Sequence, residues 1–147
     1  MLKDELTESL VLTNAVPKDW REAATMAGNL LLKEGKIKKP YIKSMIHTVE
    51  NYGPYMILLP KVCLFHGEPG DNVLSPCISL CVFQNEICFT DFANQPIRCC
   101  FGFGAVDKDS HMSLLMELSQ LLQDEQLIEL ITNNGSKEKI LKIIAKY

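Results

Sequence analysis

No uninterrupted apolar run in this 147-residue chain approaches the ~20 residues that a membrane-spanning helix needs. The N-terminus, MLKDELTESL, also lacks a signal peptide's apolar segment, because charges stand where it would lie. Both absences predict a cytoplasmic, soluble protein. Excess positive charge is missing too. The net charge is −3, which argues against broad electrostatic binding to nucleic acid or to an anionic membrane surface. The one local basic stretch is Lys33–Lys43, KEGKIKKPYIK. The six cysteines form no C-x-x-C pair, so the zinc-ribbon and thioredoxin signatures are absent. There is no G-x-S-x-G elbow and no Walker A loop, and Gly102-Phe103-Gly104 lacks the third glycine of a dinucleotide fingerprint. No metal and no cofactor is therefore expected. Without an internal repeat, a low-complexity tract or a linker, residues 1–147 are expected to form a single domain.

What the chain has is apolar content. Apolar residues make up 47% and charged residues 22%, a globular composition in a length that can bury a real core. The stretch Gly53–Asp71, GPYMILLPKVCLFHGEPGD, organises it. Val62, Cys63, Leu64 and Phe65 are apolar at successive positions, as in a strand buried on both faces. Gly67, Glu68, Pro69, Gly70 and Asp71 then force a surface turn. His66 thus stands where a buried strand emerges, the strand edge at which sites collect in open α/β sheets.

The remaining elements follow from periodicity and caps. Leu10–Thr13 is a short strand. Asp19 caps a helix from Trp20 to about Glu34, with Glu22 at the capping-box position and Gly35 as the stop. Pro40 opens a second helix, Pro40–Tyr52, with Ile42, Met45, Ile46 and Val49 at helical spacing. Tyr55–Leu59 and Lys61–Phe65 are strands that Pro60 separates. Cys77–Phe83 is a strand, Gln84-Asn85 a turn, Ile87–Thr90 a short strand, and Ile97–Val106 a strand whose two glycines allow close backbone approach. Asp107–Ser110 is a loop capping a helix His111–Gln123, on which Leu114, Leu115, Leu118, Leu121 and Leu122 form the buried stripe. Asp124 caps Glu125–Thr132, and Ser136 caps a last helix to Lys146. The sum is an α/β fold, a mixed sheet of about five strands with helices on both faces. The six cysteines lie in apolar, strand-like segments and read as reduced core residues.

Two of the three histidines are candidates for chemistry. His66, at a strand end and followed by glycine, can serve as nucleophile, general base or metal ligand. His111, at a helix start, lies where unpaired N–H groups and the helix dipole favour an anion and neutral imidazole; a simple cap without chemistry explains the spacing equally well. His47 lies beside its helix's apolar face and reads as a solvated residue.

The stretch YIKSMIHTVENYGPYMILLPKVCLFHGEPGDNV resembles enzyme IIA of the bacterial phosphoenolpyruvate-dependent sugar phosphotransferase system (PTS), in the mannitol/fructose superfamily (type 2) and its ascorbate-like branch. That branch reads as a tyrosine-led helix, V-E-x-x-G-P-Y and A-L-P-H-A/G. The matching residues are Tyr41, Met45, Val49-Glu50, Gly53-Pro54-Tyr55, Leu64 and His66-Gly67. Downstream, A-x-D-x-x-x-H before a leucine-rich helix matches Ala105, Asp107 and His111. The similarity runs from about Leu10 to the C-terminus. It implies the mannitol-type enzyme IIA fold and a phosphotransferase working through a phosphohistidine. In such a relay His66 accepts a phosphoryl group, through Nε2, from the histidine-containing phosphocarrier protein. It passes the group to a cysteine of enzyme IIB, and membrane enzyme IIC carries out uptake of the carbohydrate. His111 would hold the phosphoryl oxygens and Glu50 would orient the site. Apolar residues near His66, Phe65 among them, would help form a docking patch. Whether the domain acts alone or as a homodimer is left open.

The sequence departs from the family pattern at Phe65, where proline is usual, at Cys63 in place of alanine, and at Asn94-Gln95-Pro96 in place of Asn-Asp-Pro. Phe65 restores a backbone N–H and frees φ. Ile46–Glu50 lacks the arginine of the mannitol branch. Two other readings remain beside the relay: a phosphorylation-sensitive regulatory module that feeds no transporter, and a metal-binding hydrolase using the histidines and cysteines.

Overall fold

Three strands that are apolar on both faces make the middle of the molecule, and everything else covers them. In a computed structural model residues 1–53, 57–89 and 95–147 are described, Phe89 by its backbone alone. The strands are β1 (Val11–Ala15), β2 (Ile57–Leu59), β3 (Lys61–His66), β4 (Cys77–Phe89) and β5 (Gln95–Gly104), in the order β1-β4-β5-β3-β2. β1 runs parallel to β4 and β3 parallel to β5, while β4–β5 and β2–β3 are antiparallel. The sheet is mixed and five-stranded, in a single α/β domain. Pro60 lies between β2 and β3, and the chain reverses there, with Lys61 at φ 71°. The β3 residues Val62, Cys63, Leu64 and Phe65 are buried, and His66 is half-buried.

The helices are α1 (Leu2–Glu5), α2 (Trp20–Lys33), α3 (Pro40–Tyr52), α4 (Lys108–Leu121), α5 (Glu125–Thr132) and α6 (Lys137–Ile144). Asp19 accepts the Glu22 N–H at 2.8 Å and so caps α2. Gly53, at φ 73°, ends α3 in a conformation only glycine adopts freely. α2 lies on β4 and β5, with α3 beside it on β3. The Ser79 hydroxyl donates to the Ala27 carbonyl at 2.8 Å. A Cβ on Gly102 would stand 3.0 Å from that of Ala27, so this glycine does permit close backbone approach. α5 and α6 pack on β5 and β1. The described helices are too short or too polar to cross a membrane.

Several boundaries differ from expectation. β4 runs unbroken through Gln84-Asn85. Between the pairs Val82–Cys99 and Ile87–Ile97, β4 advances five residues while β5 advances two. The surplus forms a bulge rather than a turn, and Arg98 Nε donates to the Phe83 carbonyl there at 2.9 Å. β5 ends at Gly104, and α4 begins at Lys108 because Asp107 and Ser110 make the capping box. On α3 the buried residues are Tyr41, Met45, Thr48 and Val49, with Ile42 and Ile46 only partly covered. Leu115 of α4 is also only partly covered. Five cysteines are buried, but Cys88 is exposed. Pro54, Tyr55, Thr90 and Asn94 fall outside the described residues.

Candidate functional site

Strand alternation decides which way His66 points. Residues two apart share a face, so Val62, Leu64 and His66 turn one way and Cys63 and Phe65 the other. Phe65 is fully buried and stacks on Trp20 of α2, ring centroids 6.4 Å apart. This overturns the expectation that Phe65 helps form a docking patch. His66 pairs in register with Phe103 of β5, and both side chains look toward α4.

α4 carries His111 to that place. The Asp107 carboxylate accepts the Ser110 N–H at 2.8 Å, and hydrogen bonds from Ser110 hold its pKa below the usual carboxylate value. His111 is the fourth residue of α4 and its N–H already donates to the Asp107 carbonyl at 3.1 Å. It belongs to the first turn rather than starting the helix. Its ring meets that of His66 edge to face, centroids 5.8 Å apart and planes at 79°. The Phe103 ring also packs against it edge to face, centroids 5.1 Å apart.

The protonation states follow from these contacts. His66 Nδ1 lies 3.2 Å from the Gly67 carbonyl oxygen. A carbonyl only accepts, so the proton is assigned to Nδ1 and the lone pair to Nε2. Partial burial, and then the neighbouring His66, push the His111 pKa below 6.5. Neutral His111 keeps one N–H to donate.

The backbone at His66 is held from α3. The Tyr41 hydroxyl donates to the Phe103 carbonyl at 2.7 Å and accepts the Gly67 N–H at 2.9 Å. Ser44 Oγ accepts the Glu68 N–H at 3.0 Å. Gly67 is required for this approach: a Cβ there would fall 2.5 Å from Ser44 Oγ and 2.9 Å from Tyr41 Cε1. Sequence reasoning did not single out Tyr41 or Ser44 for this work. The available signal was a tyrosine in register with Met45 and Val49, because a buried tyrosine needs a partner for its hydroxyl.

Glu50 is placed differently. Among the described residues it pairs with Arg21 at 3.5 Å and His47 Nδ1 at 3.4 Å, and with neither site histidine. His66 and His111 are thus brought together and Glu50 is not joined to them. Four buried cysteines offer no ready thiolates: burial pushes Cys77 up to about 12 and Cys63, Cys99 and Cys100 well above the ordinary thiol value.

Away from the two histidines, a concavity of about 830 Å³ lies between α5 and α6, lined by Glu129, Leu130, Lys139, Lys142 and Ile143 among others. Met112 and Met116 share α4 with His111, Val106 lies between β5 and that helix, and all three are exposed apolar residues. Exposed apolar side chains on the element that carries a half-buried histidine suit contact with another protein.

Comparison with known proteins finds a matching family and a shared fold. Residues 5–147 match the family model described as "Phosphoenolpyruvate-dependent sugar phosphotransferase system, EIIA 2". The chain is 31% identical to the mannitol-specific cryptic phosphotransferase enzyme IIA component of Escherichia coli K12, over 99% of this chain and 98% of that one. A solution structure of that name from E. coli superposes with TM-score 0.88, covering 99% of both chains. An ascorbate-specific PTS system EIIA component of E. coli K12 is 25% identical over 97% of this chain and 94% of its own. The enzyme IIA of a mannitol IIA–phosphorylated IIB complex from E. coli shares the fold, with TM-score 0.84 at 20% identity, covering 97% and 99% of the two chains.

Proposed function

The chain belongs to the EIIA 2 family of the phosphoenolpyruvate-dependent sugar phosphotransferase system, and on that premise we propose that His66 is its phosphoryl acceptor. The observation that carries this is the His66 ring itself. Its Nδ1–H is tied to the Gly67 carbonyl, which leaves the Nε2 lone pair available beside a second, neutral imidazole. Nε2 attacks the phosphorus of a phosphohistidine on the phosphocarrier protein; the new N–P bond forms as the donor's breaks, and the donor imidazole leaves with the electron pair. In the second half-reaction a cysteine thiolate of enzyme IIB attacks the same phosphorus and His66 leaves. Such transfers need in-line placement and charge stabilisation more than covalent help. One N–H of His111 supplies the stabilisation without a fixed cation that would trap the phosphoryl group. Both partners dock in turn on the exposed apolar residues of the His111 helix and the turn before it, Val106, Met112 and Met116, through an interface at the small end of the usual range. The carbohydrate is then chosen by enzyme IIC rather than by this chain; relatives named for mannitol and for ascorbate are both at hand.

The test is intact-mass analysis after incubation with phosphoenolpyruvate, enzyme I and the phosphocarrier protein. Wild type gains one acid-labile phosphoryl group, His66→Ala gains none, and His111→Ala gains it about 100-fold more slowly, the usual cost of losing one preorganised donor. An unmodified wild type would sink the reading. Phe65 in place of the family proline favours a second reading, a regulatory module phosphorylated at His66 that feeds no transporter. Transfer onward to an enzyme IIB cysteine separates the two.

A further inference from the structure

We propose that the first turns of α3, through Tyr41 with Ser44 behind it, act as the positioning element that fixes the orientation and tautomer of His66. This rests on the reading of His66 as phosphoryl acceptor, and it adds residues to which that reading gives no part. The Tyr41 hydroxyl stands between the Gly67 N–H and the Phe103 carbonyl, bonded to both. β3 and β5 are parallel here, with His66 beside Phe103, so these two groups are ones a continued ladder can join directly. The phenol takes the place of that rung and ties the end of the His66 strand to the end of the Phe103 strand.

Both strand ends lead to the reacting rings. Gly67 donates its N–H to Tyr41, and its carbonyl, which shares the next peptide unit with the Glu68 N–H held by Ser44, is bonded to His66 Nδ1. The Phe103 residue whose carbonyl accepts from Tyr41 packs its ring on His111. A single hydroxyl is thereby connected to both imidazoles. Ser44, one helical turn on, holds the next N–H, that of Glu68. Tyr41 is buried and touches no reacting atom, so its part is positioning and not catalysis. A helix contact of this kind leaves no room for a side chain at residue 67, which is why glycine follows His66.

The test is Tyr41→Phe, which keeps the ring and removes both hydrogen bonds. Two readouts separate positioning from general stability: the ¹⁵N shifts of the His66 ring, which report its tautomer, and kcat against KM for phosphorylation by the phosphocarrier protein. The expected result is a His66 tautomer shifted away from Nδ1–H and kcat lowered about tenfold or more with KM within about twofold, since a 1 Å misplacement can cost about 100-fold. A comparably destabilised core variant in α5, Leu127→Val, moves neither readout. Wild-type tautomer and kcat in a folded Tyr41→Phe would overturn the proposal. If Tyr41→Phe gives no dispersed NMR spectrum, Ser44→Ala decides by the same readouts: a smaller change in the same direction supports the proposal and no change overturns it. If wild type accepts no phosphoryl group the acceptor reading falls, and the tautomer of the unmodified protein then decides on Tyr41.

Discussion

Two clusters in this molecule hold histidine, and they differ in what surrounds it. His47 lies on α3, its side chain 71% exposed, with Nδ1 3.4 Å from Glu50, which pairs at 3.5 Å with Arg21 of α2. His66 and His111 are half-buried and face one another, with a phenylalanine ring behind and backbone hydrogen bonds holding the strand end. The first cluster is a set of solvated polar contacts, each worth little. In the second, a neighbouring carbonyl sets the His66 tautomer, and partial burial disfavours the charged form of His111. Residue type alone marks both as candidates for chemistry. Fixed backbone and partial burial distinguish the one proposed as the nucleophile.

The sharpest way to break this contrast is to delete one histidine from each cluster. His66→Ala abolishes phosphorylation and His47→Ala leaves its rate within about twofold, because exposed ion pairs contribute only about 0.2–1 kcal/mol. Intact mass and a time course read both. Equal loss in the two variants would mean that the α3 surface belongs to the reacting centre after all.

Next in size is Gly67→Ala. The added methyl meets Ser44 Oγ at 2.5 Å and Tyr41 Cε1 at 2.9 Å, so α3 must move from the strand end. Overpacking of this kind costs about 1–3 kcal/mol, seen as a lower midpoint in thermal unfolding, and phosphoryl transfer slows with it. The same substitution at Gly35 or Gly70 meets nothing within 4 Å, although both have positive φ. Those variants are strained locally and leave the rate alone. A Gly67→Ala protein with wild-type stability and rate would show that α3 does not grip this segment.

How much of this contrast the sequence disclosed depends on distance along the chain. The His66 strand end was legible because four apolar residues run straight into five turn-formers. The caps at Asp19, Asp124 and Ser136 were legible because capping is a three-residue pattern. Phe65 misled because a neighbour in sequence is on the opposite face of a strand. Gln84-Asn85 misled because a polar pair reads as a turn, while the structure absorbs it in a bulge that Arg98 braces. By sequence His111 reads as the start of its helix because Asp107–Ser110 lies ahead of the apolar stripe, whereas the capping box sets the start at Lys108. Tyr41 was out of reach for another reason. Its hydroxyl bonds residues 26 and 62 positions away, and no local pattern encodes such a pairing.

A smaller effect concerns pH. The folded His111 resists protonation relative to its ordinary value of 6.5, so just below that value the unfolded chain binds more protons than the native one. Stability therefore rises with pH through this window, and the contribution of His111 is lost as pH falls from about 6.5 toward the lower folded value. His111→Gln removes that part of the slope, measurable as a flatter dependence of the urea midpoint on pH between about 5 and 7. Phosphorylation of His66 places an anion beside the ring and raises the His111 midpoint, as ring-proton NMR titration would show. An unmoved midpoint would mean that His111 does not face the phosphoryl group.

The smallest effect expected is the one that tests Glu50. Glu50→Gln keeps the side chain's size and removes its charge. Its partners Arg21 and His47 remain solvated, and Arg21 keeps its place over the Trp20 ring, 4.4 Å from the centroid. Stability should change by less than about 0.5 kcal/mol, as for surface substitutions generally, and the phosphorylation rate by less than about twofold, since an exposed pair contributes at most about 1 kcal/mol. The informative measurement is onward transfer to enzyme IIB. Glu50 and Tyr52, which is 66% exposed, stand on the outer end of α3, where a second protein can touch them without reaching His66. If Glu50→Gln is phosphorylated normally but transfers slowly, with the loss in KM and not in kcat, the charged cluster is a docking contact. If kcat falls in both half-reactions, Glu50 reaches the phosphoryl group in a state this structure does not display, and the contrast between the two histidine clusters fails.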